Sequence, residues 1–219
     1  MGELWRGGGI FLSEAHAGST LANSSPCFHS LPMRSLKELE PITVEDYLAG
    51  EQASNVRREF IGGAVYAMAG ASEEHNTISL SIASALRAHL RGKPCRVFIA
   101  DLKVRLQIAR TDIFYYPDVM VTCDPHDQDR YFKRHPKVLI EVLSESTDHI
   151  DRREKFLSYT QIESLEEYVL VAQDQMEVTV FRRAKNWHPE VLRQPDQPLC
   201  LASLDFSLPL RDVYEGVKV

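Results

Sequence analysis

The chain has 219 residues and carries 25 Lys and Arg against 31 Asp and Glu, a formal net charge of −6. That length holds one domain with a real core, and the acidic balance excludes a broad basic coat for non-specific nucleic-acid binding while leaving room for a local basic rim. No apolar run approaches the roughly 20 residues a membrane span needs. Cys27, Cys95, Cys123 and Cys200 lie far apart with no CxxC, so the expectation is a cytoplasmic protein with reduced thiols rather than a disulfide frame or zinc site.

Residues 1–35 are rich in Gly and Ser, with Gly7-Gly8-Gly9 and Ser24-Ser25-Pro26, and Ile10-Phe11-Leu12 is too short for a secretory signal. They are expected to form a disordered N-terminal extension, with Met33 a candidate natural start and residues 36–219 a single domain. Thr43-Val44-Glu45-Asp46 resembles a capping box that opens a short helix. Arg58 to Met68, around Gly62-Gly63, reads as a β-hairpin that carries Glu59.

Ser72 caps a long helix, about 73–91, whose inward stripe includes His75, Ile78, Ile82 and Leu86. His75 is either a satisfied core or capping group or, at a helix N-terminus, part of an anion site. Arg96 to Ile108 reads as one strand, on which Asp101 and Lys103 share a parity. A strand with Asp118, a polar loop over 123–136 and a strand over Val138–Leu143 follow. Ser146, Thr147 or Asp148 can cap a helix at about 151–163 with Phe156, Tyr159 and Ile162 inward. Two strands around Gln173-Asp174-Gln175, a short strand near 187–193 and a tail with Leu204, Phe206 and a last helix near Val213 complete an α/β layout with one mixed sheet.

Two apolar runs each hold one carboxylate. Val138 to Leu143 is apolar except for Glu141, the pattern of a strand covered on both faces. A carboxylate there costs several kcal/mol unless a cation, an ion-paired side chain or a cleft compensates it. Pro117 places Asp118 at the start of its strand. Glu141 alone is consistent with a structural pair to an arginine; with Asp118 on a neighbouring strand, the two offer the hard oxygen ligands of a divalent cation.

These residues resemble the Uma-two family of restriction-endonuclease-like proteins, in the PD-(D/E)XK nuclease superfamily. The resemblance runs from about Thr43 to the C-terminus. It rests on Glu59-Phe60-Ile61-Gly62-Gly63, His75-Asn76, Tyr116-Pro117-Asp118-Val119, Glu141-Val142-Leu143-Ser144, Asp151 with Lys155 and Tyr159, and Glu167-Tyr168. It implies a restriction-endonuclease-like mixed β-sheet flanked by helices, with an N-terminal β-hairpin and a C-terminal β extension. It also implies DNA phosphodiester hydrolysis with Mg²⁺ or Mn²⁺ on Asp118 and Glu141, and with Glu59 or His75 completing the site. The superfamily pattern has lysine two positions after Glu141, where this chain has Leu143. Lys155 is the expected replacement and Lys103 the next candidate; the alternative for Lys155 is a surface pair with Asp151. A catalytic Lys155 implies that Lys155→Ala lowers kcat by roughly 100-fold with Tm nearly unchanged.

Lys133, Arg134, Lys137, Arg152 and Arg153 are the candidate DNA contacts, each singly a solvated surface charge. A symmetric homodimer suits a duplex cutter. The competing reading is a catalytically weak or inactive nuclease-fold protein that binds nucleic acid or serves an accessory role.

Overall fold

Two bends, at Ala100 and at Tyr116-Pro117-Asp118, decide the architecture. The computed structural model describes residues 41–144 and 150–219, within a compact unit spanning Glu40–Val219. The extension expected over residues 1–35 and the cap candidates Ser146, Thr147 and Asp148 lie outside the described residues.

Helix α1 (Val44–Ala53) begins where the Thr43 hydroxyl accepts the Asp46 N–H, as the capping pattern implies. Strands β1 (Arg58–Ile61) and β2 (Ala64–Ala67) form the hairpin. Gly62 and Gly63 turn it with φ of +58° and +95°, and a Cβ on Gly63 would fall 2.6 Å from Cβ of Pro41. Helix α2 (Glu73–His89) is capped by Ser72 and buries Ile78, Ile82, Ala83 and Leu86.

The single strand expected over Arg96–Ile108 is two, β3 (Arg96–Ile99) and β4 (Lys103–Ile108). Ala100 between them takes a left-handed conformation with φ 49°. The second bend separates β5 (Thr111–Tyr115) from β6 (Val119–Thr122), where Pro117 has no N–H for a ladder. The Ala100 N–H donates to the Asp118 carbonyl at 3.0 Å, so the two bends brace each other.

Each bend passes the chain from one sheet to another. With β7 (Phe132–Lys133), one sheet has the order β2-β1-β5-β4-β7. With β8 (Pro136–Leu143), β9 (Glu167–Ala172), β10 (Val178–Arg182) and β11 (Pro189–Leu192), the other has the order β11-β10-β9-β8-β6-β3. The expected single mixed sheet is therefore divided. Strand β8 is antiparallel to β6 and parallel to β9, the parallel step needing a crossover.

That crossover departs from the expected α-helix over 151–163. It runs as a π-helical turn, Ile150–Lys155, into a short α3 (Phe156–Tyr159). The helix ends early because the chain must turn back before Glu167 to lay β9 beside β8. A hairpin of β12 (Pro198–Leu201) and β13 (Phe206–Pro209) and a short α4 (Leu210–Val213) close the domain.

Three apolar layers hold these elements. On one face of the larger sheet, Val119, Val121, Ile140 and Val142 pack against Ile78, Ile82 and Leu86 of α2, with Leu199 and Phe206 of the tail. On the other face, Met120, Leu139, Tyr168 and Leu170 meet Val104, Ile113 and Tyr115 of the smaller sheet and Tyr159 of α3. Tyr47 of α1 covers the far side of the smaller sheet with Phe60, Phe114 and Phe132. Strand β8 is thus covered on both faces, as its apolar run implies. The whole is a mixed α/β fold with sheets flanked by helices.

The expectation of reduced thiols fails for two residues. Cys95 and Cys123 flank the last β3–β6 pair, Arg96↔Thr122, and are joined by a disulfide. Antiparallel pairing brings together cysteines that are 28 positions apart in the chain. Cys200 is free and exposed. Among the described residues no helix is long and apolar enough to cross a membrane.

Candidate active site

The β6–β8 register, with Val119 opposite Ile140, sets Asp118 opposite Glu141. Both share the strand parity of Met120, Leu139 and Leu143, which pack in the layer between the sheets. Oδ2 of Asp118 accepts the Val142 N–H at 2.7 Å, and Oε2 of Glu141 lies 3.4 Å from the Asp118 N–H. Each carboxylate is therefore anchored to the main chain beside the other.

Glu141 is only 2% exposed. A lysine and a phenol compensate its charge. Oε1 accepts the Tyr159 hydroxyl at 2.8 Å and the Lys155 ammonium at 3.3 Å. Lys155 and Tyr159 stand four residues apart, which puts them on one face as the π turn passes into α3. Burial pushes the Tyr159 phenol well above its ordinary value, so it remains a donor.

Lys155 is 5% exposed, which rules out a solvated surface pair. Its ammonium also lies 3.1 Å from Oε1 of Glu59 and 5.6 Å from the centre of the Tyr115 ring. Oε1 of Glu59 in turn accepts the Tyr116 N–H at 3.2 Å. On the opposite side, Nε2 of His75 in the first turn of α2 is 3.2 Å from Oδ2 of Asp118. The fold therefore links His75, Asp118, Glu141, Lys155 and Glu59 in one continuous polar chain.

Among the described residues no three His, Cys, Asp or Glu side chains converge as a ready metal cage. A Mg²⁺ ion does not need one, because it retains water and binds through one or two carboxylates plus substrate phosphate. The anchored pair of Asp118 and Glu141 fits that requirement in donor chemistry.

Lys103, the other lysine candidate, belongs to a separate cluster. Its ammonium donates to the Tyr116 hydroxyl at 3.1 Å, which donates to Glu51 at 2.6 Å. The parity shared with Asp101 does not survive the bend: Lys103 is buried, while Asp101 is exposed and pairs with Arg57. Sequence reasoning missed the Lys103–Tyr116–Glu51 cluster, and Tyr159 was legible as an inward-facing residue and as part of the family pattern but without its bond to Glu141.

The basic candidates do not form one rim. Lys133 is a correction: its ammonium is enclosed and donates to the Asp127 carbonyl at 3.0 Å and to that of Asp129. Burial lowers its pKa, and it braces its own loop instead of facing a ligand. Lys137 pairs with Glu166 at 2.5 Å and sits four residues before Glu141 on β8, roughly 13 Å away along a strand. Arg134 is exposed, stacked over Phe132 at 4.5 Å, at that same remote end. Arg152 and Arg153 are exposed in the turn that carries Lys155, with Arg152 3.9 Å from Glu177.

Known proteins resemble this chain in sequence and in fold. Residues 44–211 match the family model Uma2, described as "Putative restriction endonuclease". The chain is 33% identical over 178 residues to the uncharacterized protein slr1290 of Synechocystis, covering 80% of this chain and 93% of that one. It is also 33% identical over 135 residues to the uncharacterized protein sll1609 of the same organism, covering 60% of this chain and 75% of that one. In fold it is similar to a crystal structure from Anabaena variabilis titled as "a putative nuclease belonging to DUF820". The TM-score is 0.63 at 18% identity, with 80% of this chain and 98% of that one covered. On the family match over most of its length, the chain belongs to the Uma2 family.

Proposed function

We propose that this protein is a metal-dependent endonuclease that hydrolyses DNA phosphodiester bonds, with Mg²⁺ or Mn²⁺ held by Asp118 and Glu141. The observation that carries the reading is the pair of facing carboxylates, anchored at 2.7 and 3.4 Å to each other's main chain, with the Lys155 ammonium at 3.3 Å from one of them. When bound, such a cation supplies Lewis-acid stabilisation of a phosphoryl oxygen and a better water nucleophile near neutral pH.

The protein groups do the positioning. Val142 N–H and His75 orient Asp118. Tyr159 and Lys155 hold Glu141, and Glu59 fixes the Lys155 ammonium on its other side. Lys155 supplies preorganised positive charge beside the scissile phosphate, where charge counts most once water is excluded. Arg152 and Arg153 take neighbouring phosphates as point contacts. A two-fold dimer would present two such centres to the two strands of a duplex.

The test is cleavage of supercoiled plasmid with Mg²⁺ by wild type, Asp118→Ala and Glu141→Gln. Wild type nicks the plasmid and both variants fall to background; equal cutting by all three overturns the reading. The second reading, a DNA-binding protein without turnover, is favoured by the engagement of Lys155 with two carboxylates. It predicts a gel shift by wild type with no cutting under Mg²⁺ or Mn²⁺.

A further inference from the structure

A second polar cavity, about 410 Å³ in volume, adjoins the acidic centre. Its size falls in the range of small-ligand sites, roughly 300–1,000 Å³. Tyr116 joins the two: its ring lines the cavity, its N–H holds Glu59, and Asp118 follows two residues later. Tyr131 and Phe132 add aromatic wall, and exposed Asn55 also lines the cavity.

Lys103 lines this cavity and is 5% exposed. An ammonium has three donors, and among the described residues the Tyr116 hydroxyl is its hydrogen-bond acceptor. Burial lowers the Lys103 pKa, the mark of a cation short of solvation. The remaining lining sets Glu51, Asp101 and Asp129 against Arg57, so a free phosphate would meet more negative than positive charge. A neutral planar ring with a carbonyl would not.

We infer that this cavity receives a nucleobase bearing a ring carbonyl, guanine or thymine rather than adenine, with the carbonyl accepting from Lys103 and the ring lying against the aromatic wall. Adenine carries an amino donor where guanine and thymine present that carbonyl, so it offers the ammonium only a ring nitrogen beside a like donor and is the poorer partner. The inference rests on the endonuclease reading for the source of the base, a DNA strand. Recognition itself needs no metal and no turnover.

The experiment is metal-free ligand-observed NMR titration of the full chain with deoxyguanosine, thymidine, deoxyadenosine and inorganic phosphate. Deoxyguanosine and thymidine are expected to bind about tenfold or more tightly than deoxyadenosine, the discrimination one charge-assisted hydrogen bond supplies. Asp118→Asn keeps this binding. Lys103→Met abolishes the preference, and Tyr131→Ala, at an exposed position, weakens all three nucleosides by about tenfold through lost stacking. No nucleoside binding, phosphate binding as tight as deoxyguanosine, or an unchanged preference in folded Lys103→Met overturns the inference. Nucleoside binding without plasmid cutting removes the endonuclease reading and leaves the cavity assignment standing; cutting without nucleoside binding does the reverse.

Discussion

Oδ2 of Asp118 accepts the main-chain N–H of Val142, the residue that follows Glu141, at 2.7 Å. The contact ties one carboxylate to the strand that carries the other. It gives Asp118 a part as strand clamp, distinct from the metal-ligand role proposed for it.

Asp118→Asn retains an oxygen for the Val142 N–H and loses the charge. It should lower plasmid cleavage by about 100-fold or more, as loss of a preorganised charge does, with little change in Tm. Asp118→Ala should lose cleavage equally and in addition cost about 1–3 kcal/mol, the penalty of a buried donor left unsatisfied. Thermal melts that place the two variants together would remove the clamp.

Lys155→Met should be costly in both readouts. The sequence alone implied a nearly unchanged Tm, but the ammonium is buried between Glu59 and Glu141. Removing one member of a buried ionic set costs about 3–5 kcal/mol, on top of roughly 100-fold in cleavage. Lys103→Ala should leave cleavage of plasmid much closer to wild type. A Lys155→Met protein that melts like wild type would show that the two carboxylates do not need the ammonium.

Tyr159 holds Glu141 from a fully buried position. Tyr159→Phe deletes the 2.8 Å hydrogen bond and should cost about 1.5–3 kcal/mol of stability, the usual worth of a bond to a charged group. Cleavage should fall mainly in kcat with KM unchanged, because the loss concerns how the carboxylate is held. A rise in KM alone would place Tyr159 in substrate binding.

Stability at acid pH should depend on Glu190. Lys185, at 2.9 Å, and Arg182, at 2.5 Å, hold its carboxyl below the ordinary 4.5. A carboxyl depressed in the folded state stabilises fully above its unfolded value, and that contribution is lost as pH falls through the folded value. Below pH 4.5 the Tm of wild type should therefore fall more steeply than that of Glu190→Gln. Parallel curves would show the pairs to be inert.

The Cys95–Cys123 bridge closes a segment of 28 residues, which on chain entropy is worth about 3–4 kcal/mol. Reductant should lower the Tm of wild type and leave Cys123→Ser unaffected. Equal response of the two proteins would mean that the thiols are not paired in solution.

The parts of the fold legible in sequence were those decided locally. Thr43 and Ser72 cap their helices through bonds to residues three positions on, and Gly62-Gly63 marks its turn because other residues strain there. Asp118 and Glu141 could be paired because an ionisable group in an apolar run is costly wherever it folds. The division into two sheets was not legible. It depends on positive φ at Ala100, and alanine gives no signal of such a conformation. The disulfide depends on the register of β3 against β6, and the inward turn of Lys133 depends on two loop carbonyls; neither leaves a trace in spacing.

Glu59, His75, Asp118, Glu141 and Lys155 stand on separate elements, β1, α2, the bend before β6, β8 and the π-helical turn. No fragment of the chain holds a working part of the centre, and assembly waits on long-range contacts, which form late in folding. A nascent chain that has displayed every residue through Glu141 still lacks the ammonium that neutralises it. On the endonuclease reading proposed above, synthesis itself thus withholds the centre until the turn carrying Lys155 has emerged and docked.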